Sequence, residues 1–249
     1  MELRDYLKNL QRIAIAFSGG VDSAYLLYEA LQSGVEVKAY YVKSAFQPAF
    51  ELEDAKRFAK LYGADLDILS LDVLQFDDVV ANPSNRCYFC KQQIFGAIIE
   101  AAAKDGFTIL CDGTNISDDE GDRPGMQALN ELSVKSPLRD CGLTKTTIRE
   151  RSKDAGLFTW DKPSYACLAT RIKTNEAITG DKLAATERAE NFLFGMGFHD
   201  FRVRRIGDMA KLELTKEDLT KALSYREAIL NTLKSDYSKV VIDLELRDE

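Results

Sequence analysis

The stretch AIAFSGGVDSAYLL, residues 14–27, runs four apolar residues into Ser18-Gly19-Gly20-Val21-Asp22-Ser23 and returns at once to helical spacing. RIAIAF (12–17) reads as a buried strand, and Leu26, Leu27, Ala30 and Leu31 fall on one face of the helix that Gly34 ends. A strand that turns through two glycines into a helix aims backbone N–H groups and the positive helix end at an anion. Gly19 and Gly20 permit the close approach, and Ser18 and Ser23 add hydroxyl donors. Asp22 is the unexpected member, because a carboxylate beside phosphate is repulsive unless a cation such as Mg²⁺ bridges them. A capped helix start is the plainer reading of the same residues, but strand, loop and helix in this order favour a nucleotide.

Outward from this loop, VEVKAYYV (35–42), ADLDILSL (64–71) and FTILCDG (107–113) read as further strands. Helices are expected over 50–63, 89–106 and 143–156. Such alternation implies an α/β fold with a doubly wound, mostly parallel sheet, which binds ligands at the carboxyl ends of its strands. The pattern changes after residue 173. A helix over 180–197, two strands about Gly207-Asp208, a helix over 215–236 and a strand over 239–246 make a smaller α+β unit. The expected domains are therefore 1–173 and 174–249.

Composition narrows the chemistry. With 45% hydrophobic and 29% charged residues, the 249-residue chain is a globular protein. No apolar run approaches the ~20 residues of a membrane span, and no signal-peptide core opens the chain, so a cytoplasmic address is expected. A net charge of −7 argues against a nucleic-acid partner. The single histidine, His199, excludes a His-rich zinc site. Five cysteines, an odd number, argue against a disulfide framework. Cys111 reads as a buried small hydrophobe and Cys141 as incidental. Cys87 and Cys90 form Cys-x-x-Cys at a loop-to-helix junction, with Arg86 and Lys91 beside them. Cys167 lies in the loop KPSYACLATR (162–171). Three thiolates suit a four-iron cluster with one iron free of protein ligand, and that iron can hold a sulfide.

SGGVDS resembles the signature of PP-loop ATP pyrophosphatases. That likeness implies cleavage of ATP between its α- and β-phosphates, adenylation of a substrate oxygen and displacement of AMP. Residues 112–138, 143–157 and 160–172, with RCYFCK, are similar to the LarE proteins, ATP-dependent sulfur transferases of nickel-pincer cofactor synthesis. The likeness spans most of residues 10–215. It implies a small nucleotide substrate, pyridinium-3,5-biscarboxylic acid mononucleotide, with ATP and Mg²⁺, sulfide or another sulfur donor, and a homo-oligomer. In one branch of that family the cysteine matching Cys167 gives up its own sulfur; in the other, three cysteines hold a [4Fe–4S] cluster with an extra sulfide on the open iron. The presence of Cys87, Cys90 and Cys167 favours the second.

The resemblance, together with position at strand ends and beside Cys167 for Gly113, Thr114, Arg123 and Arg171, assigns residues. Ser18, Gly19, Gly20, Val21, Asp22, Ser23, Gly113, Thr114 and Arg123 are expected at ATP. Arg171, Arg202 and Arg204 are expected at the substrate, and Asp22, Cys167, Glu190 and Glu213 in catalysis. On an alternating strand Arg202 and Arg204 share a face and Arg205 points away. The chain ends VVIDLELRDE, without the glycine- and arginine-containing tail common in that family. The competing readings are a tRNA thiolation enzyme, a zinc-containing QueC-like ligase and a non-catalytic sensor.

Overall fold

A computed structural model of the chain describes residues 2–118 and 123–247, the side chain of Arg123 excepted. In chain order the elements are α1 (Leu3–Leu10), β1 (Arg12–Ala16), α2 (Val21–Ser33), β2 (Glu36–Lys43), α3 (Ala49–Tyr62), β3 (Leu66–Ser70), α4 (Asp77–Val80), α5 (Arg86–Lys104), β4 (Leu110–Cys111), α6 (Arg123–Glu131), α7 (Pro137–Asp140), α8 (Lys145–Asp154), α9 (Gly180–Gly195), β5 (Arg202–Ile206), β6 (Met209–Glu213), α10 (Lys216–Ser224), α11 (Arg226–Leu233) and β7 (Lys239–Ile242). No helix among the described residues is long and apolar enough to cross a membrane.

The chain divides into two compact units. The first comprises Met1–Val73 and Asn85–Ser164, the second Leu74–Ser84 and Tyr165–Glu249. The boundary expected at 173 lies at 164 instead, and Leu74–Ser84 joins the second unit. Asn82 explains that placement. Fully buried at φ +54°, it donates through Nδ2 to the carbonyls of Lys173 (2.9 Å) and Glu176 (3.1 Å). Its own carbonyl accepts from Asn175 N, and that of Val80 from Ile178 N, both at 2.8 Å. These are long-range backbone pairings with no local signature.

In the first unit four strands run parallel in the order β3-β2-β1-β4. Chain order reverses between β1 and β4, and such a switch point opens a crevice at the carboxyl ends of the two strands. The loop 18–23 leaves β1 there. Ile13, Ile15, Leu26, Leu27 and Phe58 are fully buried beneath it, so an apolar core holds the loop's backbone in place. β4 is shorter than the expected 107–113. In the second unit β5 and β6 form the expected antiparallel hairpin, and β7 pairs parallel with β6. Leu193, Phe198, Phe201, Val203 and Leu212 fill its core. The expected helix 215–236 breaks at Tyr225, where the Ser224 hydroxyl bonds back to the Thr220 carbonyl and competes with regular helix bonding.

A Cβ on Gly113, at the end of β4, would lie 2.8 Å from the backbone nitrogen of Ser23. Backbone on both sides leaves nothing to yield. Gly113→Ala is expected to cost about 1–3 kcal/mol, read as a lower urea midpoint at unchanged slope.

Candidate active site

The first unit builds an anion cradle from the loop 18–23. Gly19 takes φ +75°, and a Cβ there would meet the Glu51 carbonyl at 3.3 Å, so this turn needs glycine. Gly20 caps α2 with extended dihedrals. The Ser18 and Ser23 hydroxyls lie 3.1 Å apart, Gly20 N donates to Ser18 Oγ, and Ser23 Oγ donates to the Gly20 carbonyl. The first turn of α2 therefore faces the same space as these hydroxyls, the arrangement expected for phosphate.

Asp22 sits in that first turn. Its Oδ2 takes an ion pair from Lys145 Nζ and its Oδ1 a hydrogen bond from Asn115 Nδ2 at 3.3 Å. Burial pushes the carboxyl above its ordinary range; Lys145 opposes the shift, and the nearby Asp118 adds to it. Hard carboxylate oxygens beside a phosphate cradle fit a magnesium ion arriving with ATP. Asn115 is itself fully buried and oriented, because its Oδ1 accepts from Ser117 N at 2.8 Å and its backbone N–H donates to Asp118 at 2.8 Å. Thr114 turns inward, its hydroxyl donating to Asp112, which also accepts from Ser136 at 2.7 Å. Burial raises the Asp112 carboxyl. Gly113 touches the start of α2 as described, while the side chain of Arg123 lies outside the described residues.

Two lysines that the motif reading did not single out reach this loop. Lys145 opens α8, and Lys162 Nζ donates to the Gly19 carbonyl (3.3 Å) and to Asp54 (2.7 Å). Arg149 on α8 holds the segment that carries Lys162 by bonding the carbonyls of Trp160 and Lys162, each at 2.7 Å. One signal was available in the sequence: a lysine in the first turn of a helix opposes the helix dipole and calls for an anionic partner.

α5 begins at Arg86, three residues before the expected start, so Cys87 and Cys90 both lie in its first turns, just past the loop-to-helix junction, three apart on one helical face. Arg86 Nη2 lies 3.6 Å from Cys87 Sγ. Two thiols at this spacing are suited to a common metal centre, and both are partly exposed. Cys167 belongs to the second unit, just ahead of the short helical turn Leu168–Arg171. Among the described residues no three His, Cys, Asp or Glu side chains are grouped to hold a metal ion. Cys111 is fully buried, and burial pushes its thiol up to about 12, in keeping with a packing role.

The second unit surrounds Glu190 with donors. Its Oε1 accepts from Arg171 Nε (2.8 Å) and from Val203 N (2.9 Å). Its Oε2 accepts from the Tyr165 hydroxyl and from Arg171 Nη2 (3.3 Å). Both charged side chains are about 1% exposed. Burial would lower the Arg171 guanidinium, yet Glu190 outweighs it and holds the group above its ordinary value. Arg171 also donates to the Ala166 carbonyl (3.1 Å) and lies over the Tyr165 ring. The segment 165–171, with Cys167 in its middle, is thus tied to α9 and β5. Glu190, expected in catalysis, and Arg171, expected at the substrate, together hold this segment.

Arg204 donates to Glu213 (2.7 Å) and to the Thr170 carbonyl (2.6 Å). Burial pushes the Glu213 carboxyl up, but Arg204 and Lys211 outweigh it and leave it below its ordinary value. A cavity of about 380 Å³ is lined by Thr170, Arg171, Lys173, Arg204, Arg205 and Lys211 among others. Its cationic wall suits a phosphate or carboxylate. Arg202 is not part of that wall; it donates to Asp200 and the Phe201 carbonyl and faces the Tyr165 ring.

A family model described as Queuosine biosynthesis protein QueC matches residues 12–81, the span from β1 through β3. An uncharacterized protein of Synechocystis sp. is 35% identical over 98% of this chain and 92% of its own length. The pyridinium-3,5-bisthiocarboxylic acid mononucleotide synthase of Lactiplantibacillus plantarum is 30% identical over 96% of this chain and 87% of its own. The tRNA-specific 2-thiouridylase MnmA of Pseudothermotoga lettingae is 27% identical over 61% of this chain. The synthase is matched over 96% of the chain, a share that takes in both units; the chain is an enzyme of the LarE family of PP-loop sulfurtransferases.

Proposed function

We propose that the chain uses ATP and Mg²⁺ to activate the carboxylates of pyridinium-3,5-biscarboxylic acid mononucleotide and replaces one oxygen of each by sulfur. The observation that carries this reading is the likeness to the L. plantarum synthase over 96% of the chain. A substrate carboxylate oxygen attacks the α-phosphorus of ATP. The bond from that phosphorus to its bridging oxygen breaks, and pyrophosphate leaves with the electron pair. A sulfur nucleophile then adds to the acyl carbon, and AMP departs with the second electron pair. Two passes consume two ATP and leave the bis-thiocarboxylate.

Ser18, Gly19, Gly20, Val21 and Ser23 hold the departing pyrophosphate, Asp22 anchors the magnesium ion, and Gly113, Thr114 and Arg123 border the nucleotide. Arg204, oriented by Glu213, takes a substrate anion in the cationic cavity, whereas Arg202 supports the Tyr165 ring from outside it. Glu190 and Arg171 are positioning residues for the Cys167 segment. Cys87, Cys90 and Cys167 are the ligands assigned to a [4Fe–4S] cluster, which when bound supplies a sulfide on the iron without a protein thiolate. The Cys pair on one face of α5 supports that assignment. A cytoplasmic homo-oligomer belongs to the same reading. The partial likeness to tRNA thiouridylases favours a tRNA acceptor as the second reading, and the net charge of −7 weighs against it.

Pyrophosphate release should require both ATP and the pyridinium dicarboxylate nucleotide, and Asp22→Asn should lower it on the order of 100-fold or more. Release driven by tRNA instead would overturn the substrate assignment. Protein purified without oxygen should hold about four irons per chain with broad absorption near ~400 nm, lost in Cys87→Ala. Iron-free protein that loses the mass of one sulfur during turnover would make Cys167 the donor. Arg171→Met strands a buried carboxylate and should cost about 3–5 kcal/mol of stability by chemical denaturation.

A further inference from the structure

β7 ends the sheet of the second unit, and among the described residues no strand lies beyond it. The N–H of Asp243, just past the strand, donates to the Leu212 carbonyl of β6 at 2.9 Å. Backbone groups alternate along a ladder. Lys239, Val241 and Asp243 therefore turn theirs toward β6, and Val240 and Ile242 turn theirs to the open edge. All three apolar residues of the strand are only half-buried. An apolar groove of about 350 Å³ opens beside them, lined by Leu212, Leu223, Ile229, Leu230, Val240 and Ile242 among others. Leu244, which follows the strand, is 88% exposed.

An open apolar edge invites indiscriminate pairing unless its charges select the partner. KVVID (239–243) carries a selection of its own. Set antiparallel to a second copy about a two-fold axis at Val241, it brings Val240 opposite Ile242, the two residues whose backbone groups face outward. The same register brings Lys239 opposite Asp243. A two-fold axis makes each contact twice, so two hydrogen-bonded pairs and two ion pairs form together. Shifting the register by two places sets Val241 against Lys239 or against Asp243, a charge on an apolar residue. Lys239 is exposed and enters no ion pair among the described residues. Asp243 is held by Lys211 at 2.6 Å, so its carboxylate is oriented in advance.

We propose that β7 is a dimerisation strand: its open edge pairs antiparallel with the β7 of a second copy of this chain, and two three-stranded sheets become one of six strands. Val240 and Ile242 carry the apolar groove of each copy across to the other. Leu244 of one copy comes opposite Ser238 of the other, and Ser238 belongs to the groove wall. Apolar burial along the groove supplies the association energy. The Lys239–Asp243 pairs choose the partner and the register. The inference rests on the homo-oligomer of the functional reading above and deepens it by naming the contact.

The test follows the full chain by sedimentation velocity over about 1–100 μM, with circular dichroism as the check on folding. The parent should associate reversibly. Lys239→Asp puts two carboxylate pairs across the axis and should weaken association about tenfold or more. Asp243→Lys should do the same with two ammonium pairs. An equimolar mixture of the two variants should associate as the parent does, because each then meets its opposite charge twice. Val240→Pro removes an outward N–H that the β6 ladder does not use, and should leave the chain folded but dissociated. A parent that stays monomeric throughout overturns the contact and the homo-oligomer together. Folded variants that associate like the parent, or a mixture that does not recover, overturn the contact and leave the oligomer standing. Should Asp243→Lys not fold, parent-like association of Val240→Pro overturns the contact. Pyrophosphate release driven by ATP is measured separately, so failure of the ATP-dependent reading is distinguishable from failure of the contact.

Discussion

Asp22 places a carboxylate inside a loop whose backbone is built to attract anions, and much of the first unit is arranged around that conflict. Burial alone would drive the carboxyl toward its neutral form. Lys145 and Asn115 keep it engaged, and each is positioned by further contacts: Lys145 by the start of α8, Asn115 by the turn after β4. Gly113 brings that turn against the first residues of α2 with no room for a Cβ. The strand order supplies the frame, since the reversal between β1 and β4 opens the space that both loops border.

The second unit solves a different problem with the same means. Segment 165–171 carries Cys167 and has no regular strand or long helix to hold it. A single buried carboxylate, Glu190, does so by filling its acceptor positions from three residues: Tyr165 and Arg171 of the segment itself, and Val203 of β5. A buried ion pair of this kind contributes little net stability compared with apolar packing, but it fixes geometry, because removing either partner strands a charge. Arg204 and Glu213 repeat the device at the cationic cavity, where the carboxylate orients a guanidinium and leaves part of it exposed.

Much of this was legible in the chain. The β1 strand, the glycine turn and α2 announced themselves through an apolar run, two glycines and a 3.6-residue period, which are all local signals. The parallel sheet and the β5–β6 hairpin were legible for the same reason. What local signals missed was of two kinds. The start of α5 at Arg86 and the break at Tyr225 are boundary matters; at the second, side-chain bonding by Ser224 competes with helix propensity. The second kind is long-range pairing. Asn82 recruits residues 74–84 into the second unit, Lys145 reaches back across more than a hundred residues to Asp22, and Arg171 finds Glu190.

By itself the sequence determined the fold class, the phosphate loop and, through the resemblance carried by its motifs, the family. These depend on short-range periodicity and on residue types at fixed spacing. Only the tertiary structure decided which charged groups are engaged and with whom. It made Glu190 and Arg171 a structural tie, set Arg204 rather than Arg202 in the wall of the cationic cavity, and brought Lys145 to Asp22. The physical reason is that a charge's role depends on its burial and on its partner, and both are set by chain segments that folding brings together from far apart.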